Sequence, residues 1–173
     1  ARVVVCGNAD TAELFEHHYA ARPAHHQPGT YTNITGNTAL AWGLVAAGQL
    51  AKLANQMIVG ITIGAVAEAL LLCERGGADM GKVKQAITGG FADSRIRQVH
   101  GQRMVERDFA KRAAITVQLK DMRNALTTAN EIGFDAPITG LFEQLFAQAA
   151  DHGLADLDHS ALFMELASRN GMV

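Results

Sequence analysis

The stretch Gly48 to Arg75, G-Q-L-A-K-L-A-N-Q-M-I-V-G-I-T-I-G-A-V-A-E-A-L-L-L-C-E-R, decides the fold. Leu50, Leu53, Ala54, Met57, Ile58, Ile61, Ala65 and Ala69 recur with a helical period. Val59, Ile63 and Leu71 add apolar side chains on the other side. A helix that is apolar nearly all round is expected inside a bundle, enclosed by partners. Gly60 and Gly64 each cost up to ~1 kcal/mol against alanine in an isolated helix. They make sense where another helix crosses closely. Arg75 and the following Gly76-Gly77 read as a basic last turn and a glycine stop. The apolar run Met57 to Cys73 falls short of the ~20 residues a bilayer span needs. Glu68 near its centre and Lys52 just before it also argue for a core helix rather than a membrane helix.

The mouth of this helix carries Lys52 and Asn55, three positions apart and so on one face. On spacing alone, the two polar groups are either an ordinary helix start or a site.

Everything downstream reads helical. The expected helices are Met80 to Ile87, Ser94 to Val105, Ile115 to Ile132, Ile138 to Ala150 and Ser160 to Ser168. Ser94 is the expected N-cap of the second of these. Ile96, Val99 and Met104 are expected inward, as are Val117, Leu119, Met122 and Leu126, and then Leu141, Phe142, Leu145 and Phe146. Upstream, Arg2 to Gly7 reads as a short β-branched strand and residues 8–19 as a short helix capped by Asp10 or Thr11. Residues 22–37 read as loop, and Thr38 to Ala47 has no decisive pattern. The expected domains are 1–45, an irregular segment or a remnant of an α/β domain, and 46–173, all-α.

Composition bounds the function. The chain has 173 residues and a net charge of −2, with 15 basic against 17 acidic residues, so it carries no electrostatic footprint for nucleic acid or an anionic membrane. Its two cysteines, Cys6 and Cys73, exclude a disulfide framework and favour a reducing, cytoplasmic setting. The apolar run Val3 to Cys6 is too short for a signal peptide. His17-His18 and His25-His26 have no cysteine or carboxylate at ligand spacing, so no metal site is expected. Asp158-His159-Ser160 is not a catalytic relay, which needs partners brought together in space. Helix capping by Asp158 or Ser160 is the expected role.

Six segments then fall in order: G-Q-L-A-K-L-A-N-Q (48–56), A-E-A-L (67–70), G-G-F-A-D-S-R (89–95), H-G-Q-R-M (100–104), L-K-D-M (119–122) and L-D-H-S-A-L (157–162). This series resembles the C-terminal domain of the β-hydroxyacid dehydrogenases, over roughly residues 46–170. The resemblance implies a helical domain of the 6-phosphogluconate dehydrogenase-like type, working beside a Rossmann domain that binds NAD or NADP. It implies that Lys52 is the general acid/base and that Asn55, with Gly48 and Gln49, contacts the substrate. Lys120 and Asp121 match the family's K-D pair near the cofactor, with His159 given at most a weak cleft role. The implied substrate is a small semialdehyde or 3-hydroxy acid. The L-D-H-S-A-L ending favours tartronate semialdehyde, with 3-hydroxyisobutyrate next. Homodimers or homotetramers are implied as well.

The chemistry fits a lysine. Hydride addition to an aldehyde builds negative charge on the carbonyl oxygen, which an ammonium stabilises and protonates. Burial in a cleft would bring such a lysine towards its working range. The plainer reading of the same helix is a non-catalytic assembly module, because its apolar surface exceeds what one domain covers easily.

Two departures from the family stand out. Gly7-Asn8-Ala9-Asp10 is not the glycine-rich loop that places backbone amides on a dinucleotide phosphate. The expectation is therefore a fragment or truncated gene product, without cofactor affinity by itself. Ala113 stands where the family usually carries an aromatic residue, about eight positions before the K-D aspartate.

Overall fold

The structure, a computed structural model, describes residues 36–172, with side chains described from 48. The expected strand over 2–7, the helix over 8–19 and both histidine pairs lie outside the described residues. The chain divides into two compact units, Ala1–Lys52 and Leu53–Val173. The second is a helical domain with no β-strand among its described residues.

The first helix, α1, runs Gly36–Arg75. It begins twelve residues before the expected start at Gly48. Thr38 to Ala47 is rich in alanine and leucine and holds no proline, so its propensity is helical although its apolar residues show no period. The end is as expected. Gly77 sits at φ 84°, and Ala78 N donates to Cys73 O at 2.9 Å while Gly77 N donates to Glu74 O at 2.9 Å. Those two bonds close the helix in a left-handed glycine cap.

Helix α2 (Met80–Ala86) opens on Asp79, whose carboxylate accepts from Lys82 N at 2.7 Å. Helix α3 (Arg95–Glu106) opens on the expected Ser94, which accepts from Arg97 N at 3.1 Å. It closes on Arg107, which adopts φ 56° where a glycine is usual. The Arg107 side chain is held on both sides. Its guanidinium donates to both Glu74 carboxylate oxygens and lies 4.6 Å from the centroid of the Phe163 ring. Helices α4 (Ile115–Glu131) and α5 (Pro137–Ala149) form a hairpin turning at Gly133. A wide turn over Ala150–Leu154, with Gly153 at φ 88°, and a short 3₁₀ turn over His159–Ala161 lead into α6 (Leu162–Arg169).

The core forms where α1 meets this hairpin and α6. Ile63, Ala67, Leu70 and Leu71 of α1 pack with Met104, Ile115, Met122, Phe146, Leu162 and Phe163. Gly60 and Gly64 do mark the close crossings. A Cβ on Gly60 would lie 2.6 Å from Gln118 Nε2, and one on Gly64 would lie 2.9 Å from Phe142 Cδ1.

Three expectations need correction. The described residues do not enclose α1: Ile58 and Leu72 are exposed, and one third of its most apolar window is buried. Its length and hydropathy over Gly48–Arg75 alone would satisfy a bilayer span. Its buried residues instead serve as one wall of a protein core. Val117 is exposed rather than inward. The buried stripe of α4 is Ile115, Gln118, Leu119, Met122, Ala125 and Ala129, and Val117 lies off that period. Leu141 is likewise exposed, because α5 buries Thr139, Phe146 and Ala149.

Candidate functional site

Gln56 joins residues that the sequence singled out on separate helices. Asn55 Nδ2 donates to Gln56 Oε1 at 2.9 Å, and Gln56 Nε2 donates to Asp121 Oδ2 at 2.6 Å. Lys120 Nζ stands 3.2 Å from Asp121 Oδ1. Asn55, Gln56, Asp121 and Lys120 therefore form one polar chain across the α1–α4 crossing. Beneath it, Gln118 Nε2 donates to Gln56 O at 2.9 Å. The close approach at Gly60 leaves room for that amide.

The chain is graded in exposure. Asn55 is exposed, Gln56 is half-buried, Gln118 is buried, and the Asp121 side chain is only 14% exposed against 65% for Lys120. The Asp121 carboxylate thus accepts a short bond from an amide and has an ammonium beside it. Lys120, its ammonium paired with Asp121 on one side and open to water on the other, presents a cation to solvent.

Gly48, Gln49 and Lys52 belong to the first unit. All three are exposed, so the described residues do not provide the burial expected of Lys52. The structure brings Asn55, Lys120 and Asp121 together. The sequence reading missed Gln56 and Gln118. Gln56 lay inside the quoted segment, but adjacent helix positions do not ordinarily share a face, so spacing did not single it out. Only its partner 65 residues away gives it a role.

A second polar centre surrounds Asp158. Its Oδ1 accepts from Ser160 N at 3.1 Å and Ser160 Oγ at 2.6 Å, so the expected capping role holds. Arg103 Nη1 donates to both oxygens, at 3.0 and 3.1 Å, and Ala113 N donates to Oδ2 at 3.3 Å. Burial pushes this carboxyl up. Hydrogen bonding from His100, Ser160 and Ala113 outweighs that and holds it well below the usual carboxylate range. His159 is pressed edge-on against His100 with ring centroids 4.5 Å apart, and is itself buried. Burial, and then the His100 charge, pull its pKa down to about 4.

His100, Asp158 and His159 offer ligand atoms within 4.8 Å of one another. Both Asp158 oxygens already accept from protein donors, and the Arg103 guanidinium occupies the place beside them. The Arg103–Asp158 ion pair ties α3 to the turn before α6.

Comparison with known proteins agrees with this architecture. A family model described as the NAD-binding region of NADP-dependent 3-hydroxyisobutyrate dehydrogenase matches residues 46–166. The 2-hydroxy-3-oxopropionate reductase of Escherichia coli (strain K12) is 45% identical over 119 residues, covering 69% of this chain and 41% of the relative. The crystal structure of 3-hydroxyisobutyrate dehydrogenase from Salmonella typhimurium aligns with a TM-score of 0.64 at 26% identity, over 66% of this chain and 40% of that one. Mycobacterium tuberculosis 3-hydroxyisobutyrate dehydrogenase, solved with L-serine, aligns with a TM-score of 0.62 at 29% identity, over 69% and 43% respectively. The chain spans about two-fifths of the length of the curated relatives it matches. A family model covering most of the chain, and a helical fold shared with solved members, place it in the 3-hydroxyisobutyrate dehydrogenase family of β-hydroxyacid dehydrogenases.

Proposed function

We propose that this chain supplies the helical half of an NAD(P)-dependent oxidoreductase that reduces tartronate semialdehyde to glycerate. The observation that carries this reading is the 45% identity to 2-hydroxy-3-oxopropionate reductase over 119 residues. The polar chain from Asn55 to Lys120 supports it, since it gathers the expected substrate amide and the expected cofactor pair at one crossing.

In this reading Lys52 donates the proton to the carbonyl oxygen as charge builds there. Asn55 orients the substrate through its exposed carboxamide. Lys120, a cation open to solvent, fits the anionic parts of a dinucleotide, and Asp121 holds it in place. A bound dihydronicotinamide supplies the hydride. Lys52→Ala, in the whole protein, lowers kcat by orders of magnitude while the far-UV circular dichroism stays unchanged. Near-normal turnover in that variant removes Lys52 from the mechanism. Comparing kcat/KM for tartronate semialdehyde with that for 3-hydroxyisobutyrate decides the substrate. The second of these is the alternative favoured by the family model and the solved neighbours.

A second reading rests on a separate observation. Ile58 and Leu72 of α1 are exposed, with Ile132, Phe134, Ile138 and Leu141 of the α4–α5 hairpin. Apolar surface of this kind supports a homo-oligomer built through the helical domain.

A further inference from the structure

Gln118 breaks the apolar pattern of the face it sits on. The buried stripe of α4 is otherwise Ile115, Leu119, Met122, Ala125 and Ala129, and Gln118 lies among them only 1% exposed. Its amide orientation is fixed, because Nε2 donates to the Gln56 carbonyl and a carbonyl can only accept. Oε1 is then left buried, without a partner among the described residues. A buried acceptor without a partner costs free energy that an apolar side chain of the same volume would not. The bond on the nitrogen side does little to offset it. The Gln56 carbonyl lies inside α1, where helix geometry already gives it the N–H of Gly60, four residues on. Gln118 adds a second donor to an acceptor that is not orphaned. For stability alone, methionine or leucine would serve this position better.

What the amide adds is direction. The rest of the crossing is smooth: Gly60 has no side chain, and the end of the Met122 side chain lies over it. A glycine surface under an unbranched methionine offers little shape to stop one helix sliding along the other. A hydrogen bond weakens steeply away from its preferred distance and angle. The Gln118 bond holds α1 at Gln56, next to Asn55, the substrate amide of the reduction proposed above. On α4, Gln118 stands two and three residues before Lys120 and Asp121, the cofactor pair of that reduction. One buried bond therefore ties the backbone that carries the first group to the helix that carries the second.

We propose that Gln118 is a positioning residue of this reduction, kept at a cost in stability to set the register of α1 against α4. Buried as it is, it touches neither substrate nor cofactor. It acts through the backbone of α1, holding Asn55 in one relation to Lys120 and Asp121. The proposal rests on the reading of the protein as a semialdehyde reductase.

The test sets activity against stability in the whole protein, with tartronate semialdehyde and NADPH or NADH. Gln118→Met keeps the volume and removes both polar atoms of the amide. Its melting midpoint is expected to equal or exceed that of wild type. Its kcat/KM, measured well below that midpoint, is expected to fall about 10- to 100-fold, the scale of loss that a displacement of about 1 Å produces at a reacting centre. A residue that only joins the helices gives the opposite pair, a lower midpoint with kcat/KM unchanged. Gln118→Leu, apolar but branched, repeats the comparison, so that the shape of one replacement is not mistaken for loss of the bond. Wild-type kcat/KM in either variant overturns the proposal. A midpoint lowered by more than about 5 °C in both variants overturns it as well, because the amide then serves stability. A wild-type protein that reduces no small semialdehyde overturns the reductase reading itself, a separate result visible before any variant is made.

Discussion

At the residue scale, Asp158 and His159 respond to acid in different windows. Asp158 is held far below its ordinary value, so what it contributes to stability is complete above about pH 4 and is lost only in stronger acid. His159 ordinarily titrates near 6.5 and in the fold near about 4. Burial lowers it first, His100 and Arg103 lower it further, and Asp158 opposes them. Between those two values the unfolded chain binds a proton that the folded chain does not, so stability falls as pH falls from 6.5 to about 4. One pKa unit corresponds to ~1.4 kcal/mol, which makes the loss a few kcal/mol at most. We expect thermal melts to show a descending limb in this window, and His159→Phe, which keeps a ring against His100, to flatten it. A variant with an unchanged limb would place the titration elsewhere. The D-H-S cap was legible from sequence because capping is local. The Arg103 partner lies 55 residues away, and local sequence has no means of showing it.

At the element scale, the two glycines of α1 test how the helices cross. Met122 and Gln118, both fully buried, stand over Gly60, so neither can swing aside for a methyl group. Gly60→Ala should therefore cost ~1–3 kcal/mol despite alanine's better helix propensity. Gly140 in α5 faces open space, and Gly140→Ala should stabilise by up to about 1 kcal/mol. Urea denaturation of the two variants separates the cases, and a stabilising Gly60→Ala would contradict the crossing. The crossing was readable in advance because glycine in an otherwise apolar helix has few other uses. Helix ends were readable for a similar reason: Ser94, Gly77 and Gly133 act on their own neighbours. The buried face of α4 was not. Gln118 is polar, so a search for apolar periodicity chose Val117, and the burial of Gln118 depends on a carbonyl of another helix. The first turns of α1 escaped because Gly36-Asn37-Thr38 reads as loop and the apolar stretch after it has no period to detect.

At the scale of the whole molecule, the exposed apolar surface of α1 and the α4–α5 hairpin needs a covering that the described residues do not supply. Ile58 is 60% exposed, Leu72 72% and Ile138 60%. Scattered apolar side chains are ordinary on a surface. Here they recur on the helix whose other side builds the core, and removing that area from water is worth ~25 cal/mol per Å². A second copy covers such a face through a self-complementary contact without new sequence. Sedimentation equilibrium at low micromolar concentration should therefore give a mass above that of one chain, unchanged by moderate salt because the contact is apolar rather than ionic. The double variant Ile58→Lys and Leu72→Lys places charges on the face without touching the core, and should shift the mass to a monomer while helical content is retained. A wild-type monomer under these conditions would sink the oligomer reading. Association that appears only with lipid vesicles would point instead to the hydropathy of Gly48–Arg75 acting at a bilayer. The lysine variant bears on the reductase as well. A variant that becomes monomeric and keeps its turnover would show that each chain completes its own polar crossing of Asn55, Gln56 and Asp121. Loss of turnover with the site residues intact would mean that assembly holds this crossing in its working geometry.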